Sequence, residues 1–297
     1  MIKNKSPFRL LVIGSSVLDT IEYDNKVEYK PGGIFYTMLG LSSIKEETEN
    51  IDLITNIDDN SYQLFEKAFN SANLEYSSRV PEISSVHLRI YKDKERVESF
   101  YNKANNLNIP KEVEYKRYEG ILINMISGYD IDISQLINIR DKFNGLIYCD
   151  IHSLARDFNE KNERVHRIIP CAEEWLSNID IVQVNEYELF TLFESSIEEE
   201  IATKVLQTGV SALIITKGEK GAILYHLSHG EIVSIKIDGV RANATNIVGC
   251  GDIFGAVFFY NYIKSHDYQK SLKQANLSAA NSTEYSTFEQ YKQLKYI

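Results

Sequence analysis

Short apolar runs recur along this chain with helical stretches between them, and that alternation restricts the fold more than any other feature. Leu10–Ile13, Ile51–Thr55, Gly120–Asn124, Gly145–Asp150, Ile179–Val184 and Ala212–Thr216 are nearly continuous in Val, Ile and Leu. A strand with one wet face alternates apolar and polar residues; a continuous run needs cover on both faces. Strands of this kind, alternating with helices, predict a parallel sheet between two helical layers. Ligands of such sheets bind beyond the carboxyl ends of the strands. The polar residues at or near those ends are therefore candidates to converge: Asp19, Asn124, Asp150, Asn185, Thr216 and Asp252.

Between these runs, Ile34–Ile44 and Ser61–Ala72 read as helices, with a turn at Pro31-Gly32-Gly33. Ser85–Asn102 has a different texture. Val86, Leu88 and Ile90 alternate with His87, Arg89 and Tyr91, and Lys92-Asp93-Lys94-Glu95 forms a polar break. This period of two predicts a small antiparallel flap outside the central sheet. Gly221–His226 and Glu231–Ile237 read as a further hairpin. Ser195 and Ser196, three residues ahead of Glu198 and Glu199, predict a capping box, and the acidic run is then a solvated first helical turn. There is no repeat, low-complexity linker or domain boundary, so residues 1–297 are expected to form one domain.

The 297 residues carry a net charge of −10, which argues against nucleic acid as a partner. A nucleotide ligand remains compatible, because helix dipoles and a metal ion bind phosphate on an acidic protein. Cys149, Cys171 and Cys250 are widely spaced, as expected of reduced thiols. Leu10–Ile13 is too short for a signal core or a membrane span, and a cytoplasmic protein without membrane association is expected.

The chemistry concentrates at Asn246-Ile247-Val248-Gly249-Cys250-Gly251-Asp252. Glycines permit a tight turn, and the following run, Ile253 to Tyr260, reads as a buried helix. A turn opening a helix presents N–H groups and a partial positive charge, which together favour an anion. Asp252 would stand beside that anion as a base, an arrangement suited to phosphoryl transfer. On its own the motif also fits a plain loop before a core helix. Cys250 reads as a small filler there. His152 follows a strand end and could reach the site, but reads first as a packing or surface histidine. Arg156 could meet a phosphate or substrate, or pair with an acidic neighbour.

Over nearly its whole length the chain resembles the ribokinase-like (PfkB) family of carbohydrate and nucleoside kinases. Gly14 with Asp19 resembles the family's first strand. Gly32-Gly33 is similar to its first signature and Gly249-Cys250-Gly251-Asp252 to its second. Asn185-Glu186-Tyr187-Glu188 resembles its Asn-x-x-Glu motif, and Thr216-Lys217-Gly218-Glu219-Lys220-Gly221 its nucleotide loop. The resemblance implies a three-layer αβα, Rossmann-like α/β domain with a mostly parallel sheet and a small β-lid, formed by about 20–33 and 84–104.

The resemblance further implies ATP-dependent phosphorylation of a primary hydroxyl on a small sugar, nucleoside or polyol. Asp252 would be the general base, and Gly249, Cys250 and Gly251 the anion hole. Asp19, Gly32 and Gly33 would bind substrate. Asn185, Thr216, Gly218, Gly221 and Asn276 would serve ATP, and Glu188 would serve Mg²⁺. The lid strands could close over substrate or join a homodimer. Asn246-Ile247 departs from the family's Asp-Thr, which leaves potassium activation open. Ile34-Phe35-Tyr36-Thr37 lacks the asparagine of the first signature, and a substrate-side lysine is missing, so aromatic residues are expected in the pocket. The alternative is a non-catalytic nucleotide- or sugar-binding regulatory protein on the same fold.

Overall fold

The computed structural model describes residues 7–23, 26–89, 91, 97–102 and 105–296. Strand β1 (Arg9–Ile13) leads into β2 (Ser16–Tyr23) and β3 (Lys26–Gly33), and then into helix α1 (Ile34–Ile44). β4 (Asn50–Ile54) follows, then β5 (Asn56–Ile57), α2 (Tyr62–Phe69) and β6 (Ser78–Arg79). β7 (Ser84–Arg89) and β8 (Val97–Tyr101) precede β9 (Gly120–Asn124), α3 (Ile133–Lys142) and β10 (Leu146–Asp150). A short hairpin, β11 (Arg156–Phe158) and β12 (Arg164–His166), comes before α4 (Ala172–Leu176) and β13 (Ile181–Asn185). The chain ends with α5 (Glu198–Gln207), β14 (Ala212–Thr216), β15 (Ala222–Ser228), β16 (Glu231–Ile237), α6 (Cys250–Ser265), α7 (Tyr268–Ser282) and α8 (Phe288–Tyr291).

The expected α/β sheet is present as eight strands in the order β16-β15-β14-β13-β10-β9-β1-β4. Its pairings are parallel from β4 to β14, and β15 and β16 add an antiparallel hairpin at one edge. Successive side chains of a strand serve opposite faces. Leu10 and Val12 accordingly join a core with α1, α2, α6 and α7. Leu11 and Ile13 join another with α3, α4 and α5. The result is three layers, and the continuous apolar runs are explained by cover on both faces. No helix among the described residues is long and apolar enough to cross a membrane.

A second sheet of four strands, in the order β3-β2-β7-β8, stands apart from the first. Val17, Ile21, Val86, Leu88 and Phe100 pack on one of its faces with Ile126. The flap is not wholly antiparallel. β7 and β8 form an antiparallel pair, but β7 joins β2 in parallel, since a long crossover separates them in sequence. The expected break at Lys92-Asp93-Lys94-Glu95 lies outside the described residues, as do parts of the 20–33 and 84–104 segments.

Two local readings are corrected. Pro31-Gly32-Gly33 is not a turn: it completes β3, paired with Leu18, Val17 and Ser16. Proline is tolerated because β3 is an edge strand. The capping box before α5 is absent as well. Ile197 occupies the N-cap position without a side-chain cap, while Ser195 Oγ donates to Glu200 at 2.7 Å and accepts from Ile197 N–H at 3.1 Å. Glu198 is not merely solvated, since it receives Lys217 Nζ at 2.6 Å and Tyr225 Oη at 3.0 Å.

Candidate active site

The register of the parallel strands sets Asn124 beside Asp150, and Asn185 beside Thr216, along one edge of the sheet. Above that edge lies a cavity of about 340 Å³, walled by both sheets and floored by the glycine turn. Asp19, Gly33, Asp150, Asn185, Glu188, Thr216, Gly218, Gly249, Cys250, Gly251 and Asp252 all line it. A larger cavity of about 790 Å³ adjoins it, lined by Thr216, Gly218, Gly221, Asn276, Ala279 and Ala280 among others. The two share Thr216, Gly218, Ile247, Cys250 and Gly251. The fold therefore brings the sequence-derived candidates to two compartments that meet at one turn. Gly32 lines neither cavity but lies under Asp19, where a Cβ would fall 2.1 Å from the carboxylate Oδ2. Glycine there lets the Asp19 side chain lie across β3.

Gly249 starts α6 with φ 81°, a left-handed conformation that favours glycine. An added Cβ would also lie 2.1 Å from the Tyr36 ring, so that ring covers the turn directly. The first helical bond runs from Ile253 N–H to Gly249 O at 3.0 Å. The N–H groups of residues 250–252 precede it and belong to the positive end of the helix. Among the described residues nothing beyond its own neighbours lies within 4 Å of a Cβ built on Gly251, so the turn opens on space at the junction of the cavities. Burial holds α6 in place: Ile253 through Tyr260 are all buried. Large apolar side chains contribute about 1.5–3 kcal/mol each when buried.

Asp252 lies in the first turn of this helix. Asn124 Nδ2 donates to its Oδ1 at 2.7 Å and to Thr37 Oγ1 at 3.0 Å. Below the turn, Gln183 Nε2 donates to Asp150 Oδ2 at 2.7 Å and to Gly251 O at 3.1 Å. Tyr148 donates its hydroxyl to Gln183 Oε1. Burial, with Glu188 and Asp252 nearby, pushes the Asp150 carboxyl well above the usual carboxylate range, against the pull of His152.

Asn185 and Glu188 brace one another. Asn185 Oδ1 accepts from the N–H groups of Tyr187 and Glu188, each at 2.9 Å, and Glu188 Oε2 accepts from Asn185 N–H at 2.9 Å. Glu188 Oε1 is buried without a hydrogen-bond partner among the described residues, with His152 Nδ1 3.5 Å away. Burial disfavours the His152 cation, yet the Glu188 carboxylate raises its pKa above the ordinary imidazole value. His152 is thus a cavity residue rather than a packing histidine. Arg156 takes the pairing role, with Nη1 3.1 Å from Glu98 Oε2. The Asn246 shoulder still supports the turn: its Oδ1 accepts from Val248 N–H at 3.0 Å, and its side chain bonds to the Tyr36 hydroxyl.

Several residues at the site had weaker sequence signals. Asp150, in the cavity wall, and Asn124, bonded to Asp252, were visible as strand ends. Gln183 interrupts an apolar strand, which is itself a signal. Arg164, Glu98 and Phe100 gave none, because their positions depend on how the hairpins fold over the sheet.

A family model for pfkB family carbohydrate kinases matches residues 154–288. An ATP-dependent 6-phosphofructokinase of Thermoanaerobacterium thermosaccharolyticum is 28% identical over 111 residues, 37% of this chain and 33% of that protein. The matched stretch thus spans about a third of that relative's length. Similarity of structure extends further. The ribokinase of Thermotoga maritima superposes with a TM-score of 0.73 at 16% identity, covering 98% of this chain and 100% of that one. The ribokinase of Arabidopsis thaliana, in complex with ribose and ATP, gives 0.72 at 15% identity over 99% and 100%. At such identities the likeness establishes the fold. The ribokinase fold thus spans the chain, and within it residues 154–288 are similar to the pfkB family of carbohydrate kinases.

Proposed function

We propose that this protein transfers a phosphoryl group from ATP to a primary hydroxyl of a small sugar, nucleoside or polyol. The observation that carries the reading is the meeting of two cavities at the Gly249–Gly251 turn, with Asp252 on the floor of the smaller one. A donor in the larger cavity would direct its terminal phosphate at the start of α6. An acceptor in the smaller would lie between Asp19 and Asp252. The Arabidopsis ribokinase, described with ribose and ATP, offers a precedent for paired donor and sugar sites.

In this reading Asp252 takes the proton of the acceptor hydroxyl as the oxygen attacks phosphorus, with Asn124 holding the carboxylate in orientation. The N–H groups at the helix start stabilise the charge on the transferring group. Thr216, Gly218, Gly221 and Asn276 line the donor side. Magnesium bound with the donor phosphates would neutralise part of their charge. The residue that fits it is Glu188, whose buried Oε1 has no hydrogen-bond partner among the described residues. Among the described residues no cluster of three or more acidic, His or Cys side chains could cage a metal, so water and phosphate would supply the remaining ligands. Asn246 commits its side chain to Val248 and Tyr36, and the reading uses no monovalent cation. The four-stranded sheet would serve as a lid that excludes water.

Purified protein with Mg-ATP and a panel of sugars, nucleosides and polyols tests the reading. Product should form with at least one acceptor, and Asp252→Asn should lower the rate by about 10²–10⁴-fold. Calorimetric binding without turnover would instead favour a non-catalytic binding protein.

A further inference from the structure

Arg164 forms part of the wall of the smaller cavity, and its surroundings are unusual for a structural arginine. It stands on β12, its guanidinium 4.9 Å from the Phe100 ring centre and 4.4 Å from that of Phe158. Nη2 donates to Ser127 O. Nε and Nη1 are buried, and neither has a hydrogen-bond partner among the described residues. Burial pushes this guanidinium down to about 10; Arg156 adds to the effect and Glu98 opposes it.

The nearby carboxylate does not resolve the deficit. Glu98 lines the same cavity but forms its ion pair with Arg156, at 3.1 Å, with both side chains largely buried. A buried cation with unmatched N–H groups is costly, and charge-assisted bonds to an anionic oxygen are the strong way to satisfy it. The cavity is therefore polarised. Asp19, Asp150, Glu188 and Asp252 supply carboxylates, while the wall at β12 supplies a cation. A neutral sugar would offer that wall only a hydroxyl or carbonyl.

We infer that the preferred acceptor is a polyhydroxy compound bearing an anionic oxygen group, a carboxylate or a phosphate monoester, and that Arg164 is the residue that recognises it. The term acceptor rests on the kinase reading above; the anion preference of the cavity can be tested without it. The two aromatic rings hold the guanidinium plane, and Ser127 fixes one end of it. The cavity volume, about 340 Å³, limits the size of an anion that can approach this wall.

The test is calorimetry on the full-length protein without donor, using matched sets: ribose, ribonate and ribose 5-phosphate, then glucose, gluconate and glucose 6-phosphate. In at least one set an anionic member should bind about tenfold or more tightly than its neutral parent. The acid and phosphate arms identify which anion is preferred. Arg164→Gln should abolish the preference by weakening the anionic member far more than its neutral parent; Arg164→Lys should retain part of it. If Arg164→Gln does not fold, the wild-type comparison and Arg164→Lys decide. Equal binding of neutral and anionic members, no binding by any anionic member, or an equal loss for both in the variant would overturn the inference. Anion-selective binding with no transfer from Mg-ATP would instead sink the kinase reading and leave this one standing. Transfer to neutral sugars without anion preference would do the reverse.

Discussion

Asn124 and Asp252, 128 residues apart in sequence, meet at 2.7 Å through a hydrogen bond from amide nitrogen to carboxylate oxygen. The amide sits at the end of a central strand and the carboxylate in the first turn of a buried helix. If Asp252 acts as the proposed base, it needs orientation as well as proximity, and this bond would supply it from a rigid element.

Asn124→Leu should therefore lower kcat by about tenfold or more while changing the acceptor KM little, since the side chain would orient the base rather than hold substrate. Steady-state kinetics on any identified acceptor would show this. A rise in KM alone would mean that Asn124 contacts the acceptor instead.

Gly249→Ala places a Cβ both in a left-handed conformation and against the Tyr36 ring. A loss of about 1–3 kcal/mol in stability is expected, together with most of the turnover. Thermal unfolding of Gly249→Ala against the double variant with Tyr36→Ala separates the two causes. The double variant should regain the part due to the ring, leaving the backbone strain.

Gln183→Leu removes the donor to the buried Asp150 carboxyl and to Gly251 O. Leaving such groups unmatched costs about 1–3 kcal/mol each. Denaturant unfolding should show that loss, with a fall in kcat because the turn loses its support from below.

Ala280→Phe should fill part of the larger cavity, where Ala280 lies on α7. The KM for ATP should rise by about tenfold, equivalent to ~1.4 kcal/mol of lost binding. Acceptor affinity measured without donor should not change. A variant with an unaltered KM for ATP would place the donor elsewhere.

Asp58 ties the entry of β7 to the start of α2, accepting from Ile83 N–H at 2.8 Å and Ser61 N–H at 2.7 Å. Burial opposes its ionisation, but these donors hold its carboxyl below the usual aspartate range. Its contribution to stability is complete above the ordinary aspartate pKa of about 4 and is lost as pH falls through the lower folded value. Unfolding free energies of wild type and Asp58→Asn should differ at pH 7 and converge in strong acid.

The layered sheet was legible from the chain because burial on both faces leaves an unmistakable run of Val, Ile and Leu, and because helix and strand periods are local properties. The glycine turn ahead of Asp252 was legible for the same reason: a tight turn and its helix are adjacent in sequence. Pro31-Gly32-Gly33 misled, since its residues usually turn the chain, and only pairing with β2 makes them a strand. The serines before α5 misled likewise, because Ser195 found a different partner one turn on.

Sequence by itself determined the α/β architecture and the candidate base, both written in neighbouring residues. Tertiary structure alone decided what surrounds that base. The bond from Asn124, the Gln183 brace, the orphaned oxygen of Glu188 and the unmatched Arg164 each join segments far apart in the chain. Their geometry depends on strand order and on how the β11–β12 hairpin and the four-stranded sheet close over the central one. No local pattern of residues carries that information, because hydrogen bonds and charge burial are fixed by distance in space.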